Sequence, residues 1–303
     1  MIIRKKYHWL KMLLIWRGDV LPKLLPRLIL LLLFSMAIVH WRDTIYTWNL
    51  HLNPVPFSLF GVALALFLGF RNNASYDRFW EARKLWGALL NTSRSLARQA
   101  HTLVDQPSYA TPFINCLIAT ALTLKHQLRH TDPDPDIDRL LTTDLAARLK
   151  TIRWKPIFLL KTMGYWVQAK KKAGNIDSIQ QQSFDRLLSD LSDIIGGCER
   201  ISNSPIPYSY NVLLHRTIFI YGFLLPLGLV ETLGWMTPLI VVFIAYTYAA
   251  LEAIADELEN PFGLDPNDIA LDTICRNLEN SLLELDERPL NPDPPTDGFY
   301  YLT

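Results

Sequence analysis

The sequence predicts an all-α membrane protein of four transmembrane helices and a helical cytosolic domain. Four apolar stretches stand in two pairs, lysine and arginine gather beside them, and no alternation of apolar and polar residues lasts long enough to build a sheet. Hydrophobic residues are 50 % of the 303, which suits an apolar soluble protein as well as a membrane protein with a large polar part. Their distribution decides.

The first span is LLPRLILLLLFSMAIVHW, residues 24–41, with Pro26 and Arg27 near its start. A secretory leader would also begin basic and turn apolar, but this run comes late and no small-residue cleavage pattern follows in HWRDTIY. The helix is therefore expected to be retained. The second span is PVPFSLFGVALALFLGF, residues 54–70, whose 17 residues rise about 25 Å as a helix, against a hydrocarbon core of about 30 Å. Residues 217–235 and 238–254 make the second pair, a helical hairpin divided at WMTP.

Lysines and arginines near the span ends set orientation. Arg4, Lys5, Lys6, Lys11, Arg17, Lys23 and Arg27 precede or begin the first span, whereas the loop 42–53 carries only Arg42. Arg71, Arg78, Arg83 and Lys84 follow the second span, and Arg216 precedes the third. The expected layout is a cytosolic segment 1–23, membrane helices in 24–70, a helical cytosolic domain 71–216, membrane helices in 217–256 and a cytosolic segment 257–303. Both termini are then inside.

Residues 74–130 read as one amphipathic helix. Trp80, Lys84, Gly87 and Asn91 share one line, while Phe79, Ala82, Leu85 and Leu89 repeat every three to four residues. A loop is expected at 129–138, then helical pattern around 139–170 and 177–200. RPLNPDPP, residues 288–295, is expected to be a mobile, non-helical tail.

The net charge is +1 and the basic residues read as interleaved with acidic ones, which argues against a nucleic-acid partner. Cys116, Cys198 and Cys275 are widely spaced, without a CxxC pair, and read as reduced thiols. His126 and His130 have the spacing of a metal-binding helix face, but no HExxH pattern accompanies them and they border a loop, so they read as surface histidines. No P-loop or GxGxxG occurs, which argues against a nucleotide-driven pump or nucleotide enzyme. The sequence points to no enzyme and calls for no cofactor or metal. Beside a channel, a non-conducting membrane scaffold and a secondary transporter remain as readings.

Residues 61–70 carry two lines. Gly61, Ala65 and Gly69 form a small-xxx-small stripe that lets another helix approach closely, and is the expected packing face. One residue on, Val62, Leu66 and Phe70 form a bulkier line about 100° round the helix. That line either meets lipid or a neighbouring helix, or rings an oligomer axis as an apolar constriction that gates by expelling water. Spacing alone does not separate the two.

At FRNNASYDRFWEARKLWG (70–87), GCERISNSPIPYSYNVLLHR (197–216) and DELENPFGLDPNDIALD (256–272) the sequence resembles the bestrophin family, particularly its bacterial branch, over roughly residues 1–280. The resemblance implies a homopentamer with four transmembrane helices per subunit around one ion pathway, in the bacterial inner membrane, with monovalent ions and membrane lipid as its other partners. The family's apolar neck residues fall on Val62, Leu66 and Phe70, and a second, cytosolic constriction falls on Ile179 in NIDSIQ. Eukaryotic relatives bind calcium with an acidic run after NPFG. Here only Asp265, Asp268 and Asp272 remain as carboxylates, which speaks against a calcium switch, so Asp265 and Asp268 are expected to be a solvated helix cap, with the remnant of a calcium site as the other reading.

Arg71 follows the last neck residue, and a ring of arginines would favour anions. Its side chain leaves the helix about 100° from Phe70, however, and is expected to find a buried or interfacial partner. Glu252, Asp256 and Glu259 lie on one side of the last membrane helix and are candidates to pair with Arg71 or Arg78, or to repel anions. Animal members pass chloride and at least some bacterial ones pass sodium, so the sign of the permeant ion is left open.

Overall fold

The computed structural model describes residues 20–47, 53–105 and 110–292. The basic run at 4–17 and the end of the proline-rich tail, 293–295, lie outside the described residues. Every regular element among the described residues is helical. In chain order these are α1 (Leu21–His40), α2 (Arg42–Thr47), α3 (Pro54–Thr102), α4 (Thr111–Arg129), α5 (Asp134–Leu140), α6 (Thr143–Lys150), α7 (Lys155–Lys172), α8 (Ser178–Asn203), α9 (Tyr208–Leu233), a 3-10 turn at Gly234–Met236, α10 (Thr237–Glu259) and α11 (Leu271–Leu285).

Among the described residues, three stretches are long and apolar enough to cross a membrane: Leu21–His40, Pro54–Thr102 and Tyr208–Glu259. The last is broken by the 3-10 turn into the helical hairpin α9–α10. Only 28 %, 22 % and 28 % of their apolar windows are buried within the chain, so most of this greasy surface faces something other than the chain itself.

The chain divides into two compact units at 79/80, 204/205 and 260/261. The first unit joins α1, the start of α3, α9 and α10. Its centre is Leu31 of α1, Leu64 and Leu68 of α3, Leu214, Ile218, Tyr221 and Leu225 of α9 and Val241 of α10. A second apolar seam, Leu24 and Leu28 with Ala249, closes α1 on α10.

The second unit is built around α4. Phe113, Ile114, Leu117, Ile118 and Leu124 are almost wholly enclosed, and the ring of Phe113 lies 4.7 Å from Trp166 of α7 and 5.9 Å from Phe184 of α8. Two threonines inside this core return their hydroxyls to their own helix, Thr120 to the Cys116 carbonyl and Thr123 to the Ala119 carbonyl, each at 2.7 Å. Neither hydroxyl is left stranded there. Cys116, Cys198 and Cys275 are free and buried, and burial pushes each thiol up to about 12.

Several boundaries differ from the sequence reading. The apolar segment ending at Phe70 and the amphipathic segment starting near 74 are one 49-residue helix, about 73 Å long. A buried line at alternating three- and four-residue steps, Gly61, Leu64, Leu68, Arg71 and Ser75, continues through Ala82, Trp86, Leu89 and Ser93 in the same phase. The polar step at RNN changes the surroundings of the helix and leaves its packing stripe intact. Conversely, 74–130 is two helices, because α3 ends at Thr102 and α4 begins at Thr111 with a proline in its first turn, where its missing N–H costs nothing. The loop expected at 129–138 is shorter, since α5 starts at Asp134, and the pattern at 139–170 is broken into α5, α6 and α7.

Two further expectations are corrected. The basic residues are not evenly interleaved: between Asp144 and Asp177 there is no acidic residue and there are eight lysines and arginines. The tail is not free at its start either. Arg288 donates to the Asn115 side chain at 2.8 Å, and Asn280 and Asn291 exchange two hydrogen bonds of 3.2 and 2.9 Å, which fasten residues 288–291 to α4 and α11.

Candidate pore-lining helix and its ionic anchor

On α3 the buried stripe and the predicted neck line are on opposite sides. Taking about 100° per residue, Gly61, Leu64, Leu68 and Arg71 centre on one direction, and Val62, Leu66 and Phe70 centre on a direction about 180° away. Those three side chains are 70 %, 56 % and 58 % exposed, at heights about 6 Å apart along the helix.

The small stripe is not the packing face within the chain. Only Gly61 is covered: a Cβ there would meet the Tyr221 hydroxyl at 2.7 Å, and its carbonyl accepts from the Tyr248 hydroxyl at 3.0 Å. Ala65 and Gly69 are exposed, and a Cβ on Gly69 would meet nothing. The two flanks of the neck line therefore differ in bulk. One carries Ala65 and Gly69; the other carries Phe60 and Phe67, each 49 % exposed.

Arg71 begins an ionic anchor that ties four helices together. Its guanidinium is 1 % exposed, bonds to Asp256 and lies 3.6 Å from Glu259, both on α10. Glu259 also accepts from the Asn211 side chain and the Ile206 N–H, each at 3.1 Å, and its carbonyl accepts from Arg78 at 3.3 Å. One turn or two earlier, Glu252 meets Arg27 of α1 at 3.5 Å and His215 of α9 at 2.8 Å, and Lys23 of α1 pairs with Glu257 at 2.9 Å. Asn72 donates to the Leu251 carbonyl at 3.3 Å.

The chemistry explains why these groups meet. The carboxylates Glu252, Asp256, Glu257 and Glu259 crowd the C-terminal turns of α10, where the helix dipole is already negative and the last turn has no basic residue of its own. Cations from α1 and α3 must supply the compensation. The contacts of Lys23, Arg27, Asn211 and His215 were not read from the sequence; an acidic end on an apolar helix, lacking basic residues, was the signal that could have found them.

Elsewhere, Ile179 stands in the first turn of α8, 78 % exposed, beside a capping box in which Asp177 accepts from the Gln180 N–H at 2.7 Å. Asp268 is not a solvated cap: it is 4 % exposed and its carboxylate accepts from the Asp265 N–H at 2.7 Å, clasping the turn. Asp272 bonds to Lys125 at 2.9 Å and Arg129 at 2.6 Å. Burial pushes its carboxyl up, but the hydrogen bonds and charge of Lys125 and Arg129 outweigh that and hold it below its ordinary value. His126 bonds to Thr131 and Asp136 at 2.6 and 3.1 Å, and His130 closes α4 in the left-handed conformation. No group of three or more metal-ligating side chains occurs among the described residues.

An all-helical chain with long, largely uncovered apolar helices, joined at one end by an ionic anchor around the buried Arg71, Glu252 and Glu259, belongs to the class of helical membrane proteins. The family model of the bacterial and fungal bestrophin proteins matches residues 1–284. The chain is 47 % identical to the voltage-dependent anion channel-forming protein RSc3414 of Ralstonia nicotianae, over 95 % of each chain. It is 39 % identical to the voltage-dependent anion channel-forming protein YneE of Escherichia coli K12, over 100 % of each. Among solved structures it is similar to a bacterial bestrophin homologue from Klebsiella pneumoniae, with a TM-score of 0.86 and 37 % identity, covering 88 % of this chain and 100 % of that one. The chain belongs to the bestrophin family, in its bacterial and fungal branch.

Proposed function

We propose that the chain is one subunit of a homopentameric ion channel with four membrane crossings per subunit, α1, the start of α3, α9 and α10, in the bacterial inner membrane with both termini in the cytoplasm. Val62, Leu66 and Phe70 from five copies form its hydrophobic neck, and Ile179 forms a second constriction on the cytosolic side. The carrying observation is the position of the neck line directly opposite the stripe that packs α3 into its own subunit. Among the described residues, the side chains on that line are left more than half exposed.

The unequal flanks support a ring over a lipid-facing line. In a head-to-tail interface each copy offers a different surface to its two neighbours, and here Ala65 and Gly69 leave room for the Phe60 and Phe67 of the next copy. The neck itself bears no charge, because Arg71 is turned into the anchor. Ions crossing an apolar ring must keep part of their water, so throughput depends on its width. The permeant species are small monovalent ions, and the names of the relatives favour anions.

Purified protein in planar bilayers under asymmetric NaCl tests this reading. The expected result is a current reversing toward the chloride equilibrium potential, enlarged several-fold by Leu66→Ala with Phe70→Ala. A reversal at the sodium potential would overturn the choice of ion, and absence of current from folded protein would favour a scaffold.

A further inference from the structure

The neck is uncharged, so whatever discriminates between ions by sign lies elsewhere on the pathway. The acid-free stretch between Asp144 and Asp177 gathers eight lysines and arginines in a chain whose net charge is +1. It ends in Lys170, Lys171 and Lys172, the last turn of α7. A tight turn with Gly174 at φ 78°, closed by the Asn175 N–H to the Lys170 carbonyl at 3.0 Å, returns the chain directly into α8. The Lys171 ammonium then donates to the Ser178 hydroxyl at 2.7 Å, one residue from Ile179. Lys172 is exposed, and the Lys170 ammonium lies over the Trp166 ring, 5.4 Å from its centroid. The nearest carboxylate in sequence, Asp177, is held by the Gln180 N–H in its capping box.

We propose that Lys170, Lys171 and Lys172, held beside Ile179 by the α7–α8 turn, form a cationic collar that raises anion over cation permeation at the cytosolic constriction. This rests on Ile179 lining the pathway. The ligand class is the small inorganic anion, attracted by the summed field of the three ammonium groups without a dehydrated binding site. Such a field is screened by salt over about 10 Å at 0.1 M and about 3 Å at 1 M.

The test is the chloride-to-sodium permeability ratio of the reconstituted full-length protein. Neutralising all three lysines as Lys170→Gln, Lys171→Gln and Lys172→Gln lowers the ratio roughly tenfold at 0.1 M salt, with little effect at 1 M. The corresponding arginine triple keeps the wild-type ratio, which excludes misfolding as the cause. Arg153→Gln, Lys155→Gln and Lys161→Gln remove the same charge from elsewhere in the stretch and leave the ratio in place. A wild-type ratio in the glutamine triple, or an equal fall in the control triple, overturns the collar while the pore stands. If Ile179→Ala leaves conductance unchanged although wild-type current is present, the placement of Ile179 fails first and the collar with it.

Discussion

Phe70 and Arg71 are neighbours whose side chains diverge by about 100°, and that divergence separates two tasks. Phe70 is left exposed, while Arg71 is enclosed and bonded to Asp256 and Glu259. A buried charge is stable only with its partners, and the enclosed Glu259 depends on Arg71 in return. Replacing Arg71 with Gln is expected to cost about 3–5 kcal/mol, because it leaves Glu259 short of a countercharge. A lowered melting midpoint of the detergent-solubilised protein checks this, together with an unchanged reversal potential in whatever protein still folds. A shifted reversal potential would instead place Arg71 on the ion pathway.

At the scale of elements, the ends of α10 and α11 show how charge locates a helix. Asp272, in the first turn of α11, is held by Lys125 and Arg129 of α4, and its carboxyl lies below its ordinary value. The sign follows from linkage. A depressed folded value stabilises the fold fully above the unfolded carboxylate value of about 3.9, and the contribution is lost as pH falls through the folded value. Asp272→Asn is therefore expected to melt earlier than wild type at pH 7, with the gap closing below about pH 4. A gap that persists at low pH would show that shape, not charge, matters there.

Helix existence was legible in the sequence because apolar periodicity reports burial directly: the α9–α10 hairpin and its turn stand where WMTP places them. Boundaries were less legible. Arg71, Asn72 and Asn73 look like the end of an apolar segment, yet Arg71 occupies a buried step of the same stripe as Leu68 and Ser75, so the helix runs on. Hydropathy records residue polarity and misses a cation that is buried with its partners. Gly61, Ala65 and Gly69 show a related limit: small size permits close approach without naming the partner, and among the described residues Gly61 is covered while Ala65 and Gly69 are exposed. The acidic, base-free end of α10 signals that cations must meet it, but not which ones, because the partners of Glu252 and Glu257 come from α1 and α9, far away in the chain.

For the whole molecule, the account turns on a surface that one chain leaves unfinished. Val62, Leu66 and Phe70 are more than half exposed among the described residues, and unequal flanks beside them suit successive copies around an axis. The most direct measurement is current through a reconstituted Leu66→Cys variant during exposure to a charged, membrane-impermeant methanethiosulfonate. The three native thiols are buried and pushed up to about 12, so they carry almost no thiolate at neutral pH and stay silent. A neck at Leu66 predicts that the reagent reaches the introduced thiol from water and suppresses the current, with recovery on reduction. A conducting variant whose introduced thiol stays unmodified, or is modified without change in current, would show that this face looks into lipid.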